Sequence, residues 1–333
     1  MLDQKFNLPV TLILFSSPML VLSMNSLISM WMCMEINTLM FILLIILNNK
    51  DMDNDSSMKY FLISCFSSTI FILSFNMNLF YSNTLFIYIM NLMMIMKLGI
   101  FPFHYWFIDL MIKLNWLLCL ILSTWQKIIP FFILLCCWNK NLMIIFLIMN
   151  GFLSMMFGMN QTSLKKILAY SSINHMSWMI LMLMINKIFF FAYLMIYSLI
   201  NSSMMYLLNF LNLKNFFDLF KFKNKFLKFY LMFLLFSLGG LPPFFGFISK
   251  WISMFEITSS LNFFTLLILL FYSLIFLSYY IRFMYWGMLM NYSSIKEYSF
   301  MFNLNFLNNM KLYNLITLFC IFNLFSIMFW FFF

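Results

Sequence analysis

Apolar runs of about 20 residues recur along this chain, separated by short polar breaks, and that repetition restricts what it can fold into more than any single motif does. At 1.5 Å per residue, about 20 helical residues cross a hydrocarbon layer roughly 30 Å thick. Lipid offers no partner to backbone amides and carbonyls, so each crossing must close its own hydrogen bonds as a helix. With 65% hydrophobic and 8% charged residues among 333, little is left over for an aqueous domain. The expectation is an all-α membrane protein with a single membrane domain over residues 1–333. The N-terminal stretch MLDQKFNLP lacks a basic leader followed by a small-residue cleavage site, so the first apolar run is expected to be retained.

Hydropathy and breakers predict about 11 transmembrane helices, at 8–27, 28–47, 58–76, 82–113, 116–138, 142–159, 162–185, 188–213, 229–256, 260–288 and 312–332. An odd number puts the termini on opposite faces. Thirteen lysines, from Lys5 to Lys311, fall in loops on the N-terminal side, against Lys140 and Lys187 opposite. By the positive-inside rule the N-terminus faces the matrix and Phe333 the intermembrane side. The cluster LKNFFDLFKFKNKFLK, 213–228, interleaves cations with aromatics. Between two spans it reads as a snorkelling interfacial segment against anionic lipid or a partner subunit, with no nucleic acid implied.

Phe occurs 48 times and Met 35 times, with two Ala, two Val and one Arg against eighteen Lys. Such choices follow A- and T-rich codons, as in an animal mitochondrial genome, and place the chain in the inner mitochondrial membrane. The six cysteines all lie in apolar segments without the paired spacing of a metal site, and read as small core or lipid-facing residues.

Two of the spans carry breakers. KLGIFPF at 97–103 and SLGGLPPF at 237–244 match at an offset of 140, pairing Leu98, Gly99 and Pro102 with Leu238, Gly239 and Pro242. Each interrupts the fourth member of a five-helix unit, about 8–138 and about 142–288, leaving 312–332 as an extra C-terminal helix. Five spans per unit invert the second copy, giving an inverted repeat with two broken helices of the kind transporters use. A break frees carbonyls that water or side chains can satisfy; the plainer reading of each is a proline kink.

Ionisable side chains at membrane depth cost roughly 3 kcal/mol on insertion scales and mark ion or proton pathways. Four stand out: Glu35 in WMCMEINTL, Lys97 at the first break, Lys127 mid-span after Gln126, and Lys250 in GFISKW beyond the second break. Glu35 and Lys97 are natural partners, and the protonation of each then depends on the charge of the other. Buried lysine can act as a proton carrier. Lys250 also fits an interfacial lysine beside Trp251. His175, mid-span in SSINHMSWM, suits a proton shuttle or a structural hydrogen bond. Asp109, Glu256 and Arg282 lie nearer span ends and are secondary.

With only His104 and His175, the chain falls short of the axial histidines of a two-haem cytochrome or a copper-haem oxidase, and it has no Walker loop, dinucleotide fingerprint or HExxH motif. Any redox step is expected on another polypeptide.

WMCMEINTL at 31–39, KLGIFPFHYW at 97–106, LAYSSINHMSWM at 168–179 and SLGGLPPFFGFISKW at 237–251 together resemble the subunit 2 family of NADH dehydrogenase, in the membrane arm of mitochondrial respiratory complex I, in an insect-like form. The resemblance covers nearly the whole chain. It departs at Asn174, where many relatives have alanine. It implies an antiporter-like fold and a proton-translocating subunit of NADH:ubiquinone oxidoreductase. Glu35 and Lys97 would match the family's charge pair, Lys127 its central lysine and Lys250 its distal broken-helix lysine. It also implies no cofactor bound here, with NADH, FMN, iron–sulfur clusters and ubiquinone used by other subunits. Subunits 4L and 4, accessory subunits and cardiolipin would be partners. An autonomous sodium or potassium/proton antiporter, or a spacer whose lysines only pair with neighbours, would share these features.

Overall fold

The computed structural model describes residues 2–48, 54–81, 83–213, 215, 218, 225–242, 244–258 and 263–289, and what it describes is helical throughout apart from short connections and one isolated bridge, Ser163 to Asn215. In chain order these are α1 (Leu2–Ser23), α2 (Leu27–Asn48), α3 (Asn54–Tyr81), α4 (Thr84–Leu98), α5 (Tyr105–Lys113), α6 (Trp116–Ser123) and α7 (Trp125–Cys136). There follow α8 (Lys140–Gly158), α9 (Leu164–Ile185), α10 (Lys187–Phe210), α11 (Lys225–Gly239), α12 (Phe245–Thr258) and α13 (Phe263–Leu289). The expected eleventh span, Cys320 and most of the 213–228 cluster lie outside the described residues. Among the described residues, seven stretches are long and apolar enough to cross a membrane.

The two spans with breakers are each a pair of half-helices, α4 with α5 and α11 with α12. Their breaks share one local geometry. Gly99 (φ 69°) and Gly240 (φ 75°) adopt the left-handed conformation. The next amide then reaches back to a carbonyl five residues earlier, Ile100 to Ile95 and Leu241 to Phe236, both at 3.2 Å. That is the Schellman ending, which favours glycine because a Cβ is strained there. A second turn follows in both, Phe103 to Ile100 and Phe244 to Leu241, each at 2.9 Å. Equivalent positions are therefore Gly99 and Gly240, so the sequence pairing of Gly99 with Gly239 is one residue out of step. Gly239 is the last residue of α11 instead. Adjacent glycines are indistinguishable in a string; only the backbone tells which one turns.

A third interruption was not expected. The span at 116–138 reads as one continuous helix, yet it splits at Thr124 (φ −119°, ψ −65°) between α6 and α7. No glycine marks it. Thr124 turns its hydroxyl back onto the Leu120 carbonyl at 2.7 Å, and Pro130 inside α7 supplies no amide to Gln126. Both weaken the ladder around Lys127.

The centre of the structure is α9, buried along nearly its whole length, from Leu164 to Leu183. Its small residues, Ala169, Ser171, Ser172 and Ser177, let neighbouring helices close in. Glycines do the same for α8, where a Cβ on Gly151 would meet the Tyr272 ring at 2.5 Å. In α1, Pro18 has no amide to give the Leu14 carbonyl, and the Trp125 indole N–H takes it at 2.9 Å, pinning α1 to α7. The outer face of α1 stays apolar and exposed at Leu8, Leu12, Met19 and Leu22, as lipid or an apolar neighbour would require.

Candidate functional site

Glu35 on α2 and Lys97 in the last turn of α4 form an ion pair at 3.4 Å. Lys97 is 5% exposed and Glu35 22%, so the amine points inward while the carboxylate reaches the chain's outer face. The Trp106 indole donates to the Met96 carbonyl at 3.1 Å, holding the end of α4 closed beside the pair.

A cavity of about 20 Å³ runs inward from Lys97 to Lys127, room for about one or two water molecules. Its polar lining comes from Asn37, Thr38, Tyr60, Ser64 and Gln126. Three of these form a clamp. Asn37 Nδ2 donates to Gln126 Oε1 at 3.0 Å, Tyr60 OH donates to the same oxygen at 3.1 Å, and Gln126 Nε2 returns a bond to Asn37 Oδ1 at 3.4 Å. Asn37 is two residues from Glu35 and Gln126 is next to Lys127, so α2 and α7 are tied together at the cavity.

Lys127 is buried, and its amine has no hydrogen-bond partner among the described groups. It lies 4.7 Å from the Phe107 ring centroid and 5.9 Å from that of Tyr197, at cation–π range. An ammonium in such a place needs water or a moving partner, and the cavity at its side can hold water.

His175, buried on α9, has both Lys127 and Lys250 within electrostatic reach. Its Nδ1 is hydrogen-bonded to Tyr193 OH at 2.8 Å, and its ring centroid is 5.1 Å from that of Tyr197. Lys250, 4% exposed, is not the interfacial lysine that its place in the sequence also allowed. Its amine donates to the Gly239 carbonyl at 2.7 Å, in the turn where Gly240 leaves room: a Cβ there would meet Lys250 Nζ at 2.9 Å. A Cβ on Gly246 would overlap the Ser237 carbonyl oxygen at 1.6 Å, so the two half-helices touch backbone to backbone.

The five expected residues thus form one row: Glu35 with Lys97, then Lys127, His175 and Lys250. Asp109 does not join it, pairing with Lys59 at 3.1 Å on an exposed face. Arg282 donates to the Met159 carbonyl at the end of α8, also away from the row. Cys33, Cys119 and Cys137 are buried and Cys136 is exposed, in line with small core or lipid-facing residues. Among the described residues no His, Cys, Asp and Glu group could hold a metal ion.

Sequence reasoning missed the polar residues between the charges. Asn150 on α8 accepts from the Phe101 amide at 3.2 Å and donates to the Ile173 carbonyl at 2.7 Å, bridging the first break to α9. Tyr193, Tyr197 and Asn201 sit four apart on α10, and Asn201 Nδ2 donates to Tyr197 OH at 2.9 Å and to Ser123 Oγ at 3.1 Å. That spacing was the available signal, hidden because tyrosine in an apolar helix reads as bulk.

Residues 24–276 match the family model for the NADH:quinone oxidoreductase/Mrp antiporter transmembrane region. The NADH-ubiquinone oxidoreductase chain 2 of Anopheles gambiae is 36% identical over 86% of this chain and 87% of its own, and that of Aedes aegypti 35% identical over 85% and 86%. Among solved structures, a chain of respiratory complex I from Thermus thermophilus superposes with a TM-score of 0.73, at 22% identity over 82% of this chain and 68% of that one. A chain of the Mrp complex from a Dietzia species gives 0.73 at 12% identity, over 83% and 59%. These structures share the fold.

Proposed function

The chain belongs to the NADH-ubiquinone oxidoreductase chain 2 family, and from that premise we propose that Glu35, Lys97, Lys127, His175 and Lys250 form the proton relay of a membrane subunit of proton-translocating NADH:ubiquinone oxidoreductase. The observation that carries the reading is the polar cavity between Lys97 and Lys127, which gives two buried amines a common space for water. Redox chemistry belongs to other subunits. A change of charge near Glu35 alters how firmly Lys97 holds its proton. The proton then crosses the cavity to Lys127 and moves on toward Lys250.

The energies are of matching size. Moving one charge against 100 mV costs about 2.3 kcal/mol. Two unit charges at about 4 Å interact with about 4 kcal/mol at the effective dielectric near a protein surface. Making or breaking one contact like that of Glu35 with Lys97 is enough to drive a step.

In this reading the chain lies in the inner mitochondrial membrane with its N-terminus on the matrix side and eleven crossings. These comprise two oppositely oriented five-helix units, 8–138 and 142–288, and a final helix at 312–332. The paired Schellman breaks support the repeat. Subunits 4L and 4, accessory subunits and cardiolipin are the expected neighbours; the apolar outer face of α1 and the carboxylate opening outward at Glu35 support burial against other chains.

The test is Lys127→Met in the assembled complex, reconstituted in liposomes, with protons translocated per electron as the readout. Loss of translocation is expected. A wild-type ratio would leave the lysines as spacers, and ion exchange by the purified chain alone would make it an autonomous antiporter.

A further inference from the structure

Lys165 stands in the first turn of α9, where the helix dipole disfavours a cation. At a membrane face a lysine ordinarily carries its amine outward to water or headgroups. This one turns inward. Its Nζ donates to the Ile112 carbonyl at 2.9 Å and to the Leu114 carbonyl, and it lies 5.6 Å from the Trp116 ring centroid. Those carbonyls belong to the junction where α5 ends and α6 begins, with Leu114 (φ −72°, ψ 153°) and Asn115 (φ −67°, ψ 155°) extended between the helices. The last carbonyls of a helix have no partner in their own ladder. Leu114 is buried, so its carbonyl depends on side chains. The Cys119 thiol gives weak bonds to the Met111 and Leu114 carbonyls at 3.3 and 3.4 Å. Lys165 gives the charged ones, and at the end of α5 its charge meets the favourable pole of that helix's dipole.

From this junction α5 runs back to the first break, bringing Trp106 and Phe107 to the cavity, while α6 and α7 run on to Leu122, Gln126 and Lys127. Both walls of the cavity leave from one turn of chain. Phe107 lies 4.7 Å from Lys127 Nζ, so any swing of α5 against α7 changes the space beside that amine. The exposed pairs Lys59–Asp109 and Lys113–Asp55, at 3.1 and 3.7 Å, also touch α5, but ion pairs in water constrain weakly.

We propose that Lys165 is a positioning residue of the relay; this rests on the relay reading above. Gripping the α5–α6 junction from α9, the helix that carries His175, it fixes the two cavity walls relative to each other and to the rest of the row. It carries no proton along the row, since its amine is held by backbone carbonyls, which cannot pass a proton on.

The experiment uses the assembled complex in liposomes and reads both the amount assembled and the protons translocated per electron. A lysine that only stabilised the fold would lower the first and leave the second unchanged. Lys165→Met is expected to lower the ratio in the complex that assembles, with electron transfer retained, and Lys165→Arg, which keeps the charge and the donors, to restore it. Lys166→Met removes the neighbouring charge, which has no hydrogen bond to the junction among the described residues, and is expected to keep the wild-type ratio. Should Lys165→Met fail to assemble, Lys165→Gln, uncharged and one atom shorter, is expected to assemble with a lowered ratio. A wild-type ratio in whichever of the two assembles, an equal loss in Lys166→Met, or failure of both to assemble would overturn the positioning role. If Lys127→Met still abolishes translocation in that case, the underlying relay survives. A wild-type ratio in Lys127→Met would overturn both.

Discussion

The two broken helices end in the same backbone turn, yet they spend it differently. At the first break the lysine precedes the turning glycine by two residues, and its amine goes out to a carboxylate on another helix, Glu35 at 3.4 Å. At the second the lysine follows the glycine by ten residues, and its amine folds back onto the break itself, to the Gly239 carbonyl at 2.7 Å. One lysine is answered by a carboxylate, the other by a backbone dipole. A difference in lysine placement relative to one glycine thus gives the first break a side-chain partner on another helix and the second a bond within its own turn.

The contrast should be hardest to survive at the second break's backbone contact. Gly246→Ala places a methyl inside the Ser237 carbonyl, where neither side can yield, and is expected to abolish assembly of the complex, read on native gels. At the first break the equivalent pressure is milder. Gly99→Ala is strained by about 1–2 kcal/mol through its left-handed backbone and presses on Phe107 Cβ at 2.8 Å. Assembly with a lowered thermal midpoint is expected; equal damage at both sites would break the comparison.

Next in size is the partner of each lysine. Glu35→Gln leaves Lys97 without its counter-charge, at a cost of up to about 3–5 kcal/mol if the site were fully buried and less for a carboxylate that opens outward. Translocation per electron should fall, while Lys250, held by a backbone carbonyl, keeps its Gly239 bond. Asn150→Ala removes two hydrogen bonds that brace only the first break, about 1–3 kcal/mol; hydrogen exchange should quicken at Phe101 and leave Leu241 unchanged. The smallest effect belongs to the exposed pair of Lys59 and Asp109: Lys59→Ala should change stability by less than about 1 kcal/mol, and a larger loss would mean that α5 is tethered there.

The positions of the helices were readable because lipid enforces one rule on all of them, and ten of the expected spans have helical counterparts in the described residues. The break at Thr124 was not readable. A threonine hydroxyl bonding its own helix looks the same in a string whether the helix bends or not. Glu35 and Lys97 could be paired from depth alone, since each needs a partner. The clamp of Asn37, Tyr60 and Gln126 could not, because an amide or phenol in an apolar span has many possible partners and a sequence does not rank them.

By itself, then, the order of residues determined that this chain is a stack of membrane helices with four ionisable groups at depth and two glycine-proline interruptions, because hydrophobic length and desolvation cost act locally and leave a mark at each position. Only the tertiary structure decided which glycine turns, that Lys250 reaches back into the second break, and that Tyr197 stands between Lys127 and His175. Those outcomes depend on distances between helices far apart in the chain, and hydrogen bonding, which fails within a fraction of an ångström, is settled by packing.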